Sequence, residues 1–201
     1  MNWQEYYKIV SNKPEKCIKI GIRDWEQRSS IILKWIKNSF DKKSRILDCG
    51  CGIGIFGQIM KENGYRNIIG IDFNEKSLRC AKNFYSVNKM DCQNLALVDN
   101  FYDVIVALNV IEHLEDPKQF LTEIKRITKP NSLYVFSTPN VNFIRKLIRP
   151  IKCKDHKHFW NIKQFIGMLD KNKFKVLNVK GVGRFKNLLL CQTFMVLCSY
   201  E

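Results

Sequence analysis

Residues 46–54, Ile-Leu-Asp-Cys-Gly-Cys-Gly-Ile-Gly, constrain the fold more than any other stretch. A short apolar run ends in an acidic residue, Asp48, and glycines then fall at every second position, Gly50, Gly52 and Gly54. This reads as a buried strand entering a sharp turn, with a helix opening near Ile55. Glycine belongs where a backbone turns sharply and lets a ligand approach with no Cβ in the way. Gly52, Gly54 and Gly57 also satisfy G-x-G-x-x-G, the dinucleotide spacing, so the glycines alone do not decide the ligand.

Alternation of short apolar runs with amphipathic stretches continues along the chain. Strands are predicted at Arg45–Asp48, Asn67–Asp72, Ser86–Met90, Asp103–Leu108 and Leu133–Ser137. Helices fall between them, one running to about Asn63 before Gly64, one at about Glu75–Asn83 and one at Pro117–Ile127. Two last strands, Lys175–Lys180 and Thr193–Ser199, complete seven. The pattern predicts an α/β fold: a Rossmann-like, seven-stranded, mostly parallel sheet with helices on both faces and a C-terminal hairpin strand. Residues 1–201 are expected to form a single domain. Its first 44 residues are a helical cap, with Trp3, Tyr6, Tyr7 and Ile9 at helical spacing, a break at Pro14, and a helix from about Asp24, as N-cap, to Phe40.

In open α/β sheets ligands sit at the carboxyl ends of strands. Asp72 ends the second strand, 24 residues after Asp48. A carboxylate there can accept two hydrogen bonds from a ribose diol, or it can cap the next helix. The D-x-G-x-G-x-G alternation resembles the first motif of the class I S-adenosylmethionine-dependent methyltransferases. Leu108-Asn109-Val110-Ile111-Glu112-His113-Leu114-Glu115-Asp116-Pro117 resembles the E-V-x-E-H-x-x-x-P segment of the ubiquinone-pathway O-methyltransferases and their many relatives. Pro130-Asn131-Ser132 stands where that group has P-G-G, and Ser137-Thr138-Pro139-Asn140 matches its S-T-P-N. The resemblance covers residues 45–180.

It implies S-adenosylmethionine as cofactor and S-adenosylhomocysteine as product. Asp48 would meet the donor's amino group, with Gly50, Cys51, Gly52 and Gly54 forming the turn around it. Asp72 would take the ribose and Phe73 would pack on the adenine. Asp91 would accept from the adenine amino group, flanked by Cys92, and Asn109 completes the set expected to hold the donor. The resemblance does not select an acceptor, since this subgroup methylates quinones, sugars, small acids, amines and RNA ends.

All three histidines, His113, His156 and His158, lie on the acceptor side. His113 and His156 are the candidates for a base that helps a hydroxyl acceptor. Some relatives hold a divalent ion through E-x-x-E-H plus a later histidine. Glu112, His113 and His156 match that set, but Asn109 replaces its first carboxylate, so a metal is not favoured. Residues 141–158 form an acceptor-side insertion with an apolar side (Phe143, Ile144, Leu147, Ile148, Ile151) and a basic side (Arg145, Lys146, Arg149, Lys152, Lys154, Lys157). It could rest on an anionic membrane surface, clamp a phosphate-bearing acceptor, or simply pack as a lid.

A formal charge of +15 leaves a nucleic-acid partner open, although the lysines are spread along the whole chain as composition bias alone would spread them. No apolar run is long enough to span a membrane, and the chain is expected to be cytoplasmic. None of the eight cysteines forms a C-x-x-C pair, which reads as buried thiols rather than a disulfide frame or zinc site. The expected function is methyl transfer to an oxygen of a small-molecule, sugar or lipid-linked acceptor. An RNA methyltransferase, a non-catalytic S-adenosylmethionine-binding protein and an NAD oxidoreductase stand as rivals, and the oligomeric state is not legible.

Overall fold

The computed structural model describes residues 2–10, 15–141, 155–183, 187–188 and 191–200. Two helices, α1 (Trp3–Val10) and α2 (Glu15–Lys37), precede β1 (Ile46–Cys49). Then come α3 (Ile55–Glu62), β2 (Ile68–Asp72), α4 (Glu75–Ala81), β3 (Ser86–Lys89) and β4 (Tyr102–Leu108). A 3₁₀ turn (Ile111–His113), α5 (Pro117–Ile127), β5 (Thr128–Pro139), α6 (Ile162–Lys171), β6 (Phe174–Val182) and β7 (Thr193–Tyr200) follow.

The seven strands lie in the order β3-β2-β1-β4-β5-β7-β6. The first five are parallel, and β7 runs antiparallel to both β5 and β6. Strand order reverses between β1 and β4, which is where an open sheet of this kind leaves a crevice at its carboxyl edge.

The central strands are buried on both faces, and their residues sort with period two. Ile46, Val104, Val106, Leu133 and Val135 meet α2, α3 and α4 through Ile32, Ile36, Phe56, Met60 and Leu78. Leu47, Ile105, Ala107, Tyr134 and Phe136 meet α5 and α6 through Phe120, Ile124, Phe165 and Leu169. Each such Val, Leu, Ile, Phe or Met side chain stabilises the fold by about 1.5–3 kcal/mol. Helix starts are set by side chains: Asn74 caps α4, Asp116 caps α5 with Pro117 at the first turn, and Asn161 forms a capping box with Gln164 on α6.

Several boundaries differ from the sequence expectation. Helix α2 begins at Glu15 rather than Asp24. Asp24 is interior and uses its carboxylate on Arg28, one turn on, at 2.7 Å. Ile18 and Ile22 extend the apolar face upstream, against Tyr6, Ile55 and Ile59. On α1, Tyr6 and Tyr7 are buried as the spacing suggests, but Ile9 is 70% exposed. Strand β5 starts earlier than expected. The Pro130-Asn131-Ser132 stretch is a register shift inside it, with Asn131 at φ 63°, a conformation asparagine tolerates where relatives use glycine. Residues 11–14, with the expected break at Pro14, lie outside the described residues. So do residues 142–154, which carry most of the amphipathic insertion. Among the described residues, no helix is long and apolar enough to cross a membrane, and the described cysteines are free thiols, most of them buried.

Candidate functional site

The glycine turn after β1 divides two cavities that meet at Gly50. The larger, about 790 Å³, is lined by Asp72, Phe73 and Asn74 at the end of β2, Met90–Gln93 after β3, and Asn109, Val110 and His113–Glu115 after β4. The smaller, about 210 Å³, is lined by Asp48, the turn itself, Ile55 and Phe56 of α3, and Tyr7 and Trp25 from the N-terminal helices. Tyr6 anchors α1 over the turn through a 3.0 Å hydrogen bond to the Ile53 carbonyl.

Two glycines carry the geometry. At Gly50 (φ +66°) a Cβ would meet Val110 Cγ2 at 2.3 Å, so glycine lets the β4 loop close down on the turn. At Gly52 (φ +53°) a Cβ would have nothing within 4 Å, so this backbone faces open space and can be approached by a ligand. The Gly52 N–H donates to Asp72 Oδ2 at 2.8 Å, and the Asn74 N–H donates to Asp72 Oδ1 at 2.8 Å. Each oxygen keeps a lone pair for a ribose hydroxyl. Asp72 therefore orders the turn, and capping of α4 falls to Asn74.

Phe73 is 76% exposed at the mouth of the larger cavity, an open aromatic face at a strand end. Asp91 accepts from the Gln93 N–H at 2.9 Å and from its side-chain amide. The Gln93 Oε1 in turn accepts the Asp116 N–H, which ties the loop after β3 to the loop after β4. Cys92 is buried beside Asp91 and also lines the larger cavity. Asp48 is 2% exposed, and burial pushes its carboxyl up to about 7, partly offset by the Tyr85 hydroxyl that donates to Oδ2 at 2.8 Å.

Past β4 the site is made of side chains. Asn109 sits at φ 57°. Its Oδ1 accepts from Arg28 and from Ser137 Oγ at 3.0 Å, and its Nδ2 donates to Glu112 Oε1 at 3.1 Å. Arg28, itself buried, completes the network through Asp24. Glu112 is 1% exposed, and burial holds its carboxyl above the usual range. The Glu112 carbonyl accepts the N–H groups of Lys157 at 2.8 Å and His158 at 3.1 Å, which docks residues 155–158 on the 3₁₀ turn.

The histidines separate. His158 is structural: Nε2 donates to the Leu114 carbonyl at 3.0 Å, and the ring stacks on Trp160. His113 lines the larger cavity, and its Nδ1 donates to the Asp155 carbonyl at 3.0 Å, so the neutral ring presents Nε2 as an acceptor. His156 does not line that cavity; its ring packs edge-on against His113, with centroids 4.7 Å apart, and burial together with His113 lowers its pKa. One ligand atom each from Glu112, His113 and His156 can be found within 4.8 Å of one another.

Of the residues expected at the donor site, all but Gly54 line one or other cavity; Gly54 instead packs on Ala81 and Tyr85, where a Cβ would lie 2.9 Å and 3.2 Å from them. The sequence reading missed Tyr85, Val110, Gln93 and Arg28. Only Arg28 left a signal, the i, i+4 spacing from Asp24.

A methyltransferase domain family model matches residues 25–179. The chain is 28% identical over 174 residues to a ubiquinone biosynthesis O-methyltransferase of Vibrio atlanticus, covering 77% of this chain and 72% of that enzyme. It is 31% identical over 147 residues to the enzyme of the same description in Rickettsia typhi, covering 68% of this chain and 59% of the relative. The fold matches a SAM-dependent methyltransferase from Archaeoglobus fulgidus with a TM-score of 0.70 at 21% identity, covering 87% of this chain and 93% of that one. The glycine turn, the two carboxylates and these matches agree, and the chain belongs to the methyltransferase domain family, as a class I S-adenosylmethionine-dependent methyltransferase.

Proposed function

We propose that the chain transfers a methyl group from S-adenosylmethionine to an oxygen of a small-molecule, sugar or lipid-linked acceptor, with His113 as the base. The observation that supports the donor side most is the pair of cavities joined at Gly50, each with a carboxylate on its wall, Asp48 in one and Asp72 in the other. The amino-acid end fits the smaller cavity, against Asp48. The adenosine fits the larger, with Asp72 on the ribose, Phe73 on the adenine face and Asp91 on its amino group. Bound there, the cofactor supplies a methyl group already activated on its sulfonium.

What remains for the protein is alignment and one proton. The larger cavity extends past Val110 to His113, Asp155 and Lys157, which leaves space for an acceptor beside the donor. His113 Nε2, free to accept because Nδ1 is held by the Asp155 carbonyl, takes the hydroxyl proton. The oxygen-acceptor chemistry is that named for the Vibrio and Rickettsia relatives.

The Glu112–His113–His156 grouping favours a second reading, a divalent ion held by one carboxylate and two imidazoles. Its donor set fits a metal, but Asn109 cannot join as a fourth ligand while Oδ1 serves Arg28 and Ser137. His113 cannot be both base and ligand. Methyl transfer to a catechol probe, measured before and after chelation, separates the two. Activity that survives chelation and is lost in His113→Ala supports the base. Activity that vanishes on chelation and returns with Mg²⁺ or Mn²⁺ supports the ligand. Absence of transfer to any hydroxyl-bearing probe, with the donor bound, would remove the oxygen-acceptor assignment.

A further inference from the structure

Tyr85, in the short connection between α4 and β3, is 5% exposed. Three glycines from three different elements make room for its ring. A Cβ on Gly57 would lie 2.1 Å from Tyr85 Cζ, one on Gly70 2.7 Å from the hydroxyl oxygen, and one on Gly54 3.2 Å from Cε1. Gly57, the third glycine of the dinucleotide spacing, is thus accounted for by a phenol rather than by a nucleotide. The ring runs between β2 and α3 to the underside of the glycine turn. There its hydroxyl reaches Asp48 Oδ2 at 2.8 Å.

Among the described residues, this hydroxyl is the side-chain donor to the Asp48 carboxylate. Asp72 on β2 raises its pKa further, and Trp25, Ile55 and Phe56 are among the other walls of the smaller cavity. A carboxylate buried this deeply prefers its neutral form unless donors favour the charge. From this geometry we infer that Tyr85 is a positioning residue for the donor's amino-acid end: its hydroxyl aims the Asp48 carboxylate into the smaller cavity and favours the charged form that an ammonium group requires. The inference rests on the proposed placement of S-adenosylmethionine and adds to it a residue that touches no part of the ligand.

The substitution Tyr85→Phe keeps the ring in its glycine-lined slot and removes only the hydroxyl. Two probes separate a positioning role from a structural one. S-adenosylhomocysteine carries the amino-acid end; 5′-methylthioadenosine has the same adenosine thioether without it. Calorimetric titration of both is expected to show S-adenosylhomocysteine weakened about tenfold in Tyr85→Phe and 5′-methylthioadenosine unchanged within about twofold. The pH at which S-adenosylhomocysteine affinity is half-maximal moves up, because the hydrogen bond that favours the carboxylate is gone. In an Asp48→Asn background, adding Tyr85→Phe costs nothing further, since both act through one contact.

Equal losses for the two probes, no loss for either, or additive losses in the double variant would overturn the inference while leaving the donor site standing. If the wild-type chain binds neither probe, the donor placement and this inference fall together.

Discussion

The two sides of the crevice are built from different materials. The proposed donor side is framed by backbone, a turn held in left-handed conformations by Gly50, Gly52 and Gly54 with Asp72 receiving two main-chain N–H groups, and it sets a few side chains at strand ends. The proposed acceptor side is a side-chain mesh in which Arg28, Asn109, Ser137 and Glu112 bind one another, and Lys157 and His158 hang on the Glu112 carbonyl. A turn framed by glycines depends on local spacing along the chain, whereas a mesh of side chains depends on residues brought together from distant positions.

The sharpest way to break the comparison is to remove a function from one side and watch the other. His113→Ala is expected to lower kcat by about 10²–10⁴ while S-adenosylhomocysteine affinity stays within about twofold. Loss of both together would mean that the two sides are one site.

Gly50→Ala strikes where the sides touch, since its Cβ would come 2.3 Å from Val110 and φ is +66°. Titration should show donor affinity falling about 100-fold, with a left-handed alanine adding roughly 1–2 kcal/mol of strain.

Asp48 gives a stability signature of its own kind, a buried carboxyl raised by desolvation, and Glu112 across the crevice is raised in the same direction by its burial. Its carboxyl rises from 3.8 to about 7 on folding. The unfolded chain therefore gives up its proton first as pH rises, and stability present below about pH 4 is lost progressively up to about pH 7. Denaturant unfolding across that window should show Asp48→Asn removing a pH-dependent loss on the order of 4 kcal/mol. An unchanged slope would mean that Asp48 is not the buried acid described.

The smallest effect is expected at Gly52→Ala. Its Cβ meets nothing, so the methyl intrudes on the ligand rather than on the protein. Donor affinity falls about tenfold, and the loss of thermal stability is limited to the left-handed strain. A drop in melting temperature as large as that of Gly50→Ala would show that the turn, not the ligand, needs this glycine.

The same contrast explains what the sequence made legible. Strand alternation, the Pro117 start of α5 and the Asp72 strand end depend on local spacing, and the structure has them where spacing places them. Asp24 was misread because an N-cap and an i, i+4 ion pair use the same residue type, and only the packing of Ile18 and Ile22 decides between them. Tyr85 left no signal: a lone tyrosine between helix and strand acquires meaning only when Gly54, Gly57 and Gly70 from distant positions vacate one slot. Asn109 was visible as a departure from glutamate, but its partners, 81 residues back to Arg28 and 28 forward to Ser137, were not.

The central claim is that the carboxyl edge of β1 and β2 holds S-adenosylmethionine. Calorimetric titration of S-adenosylhomocysteine into the wild-type chain and into Asp72→Ala, with NADH as control, tests it directly. The account predicts micromolar binding of S-adenosylhomocysteine, about 100-fold weaker in Asp72→Ala, and none of NADH. Binding of NADH instead, or equal S-adenosylhomocysteine affinity in the variant, would contradict it.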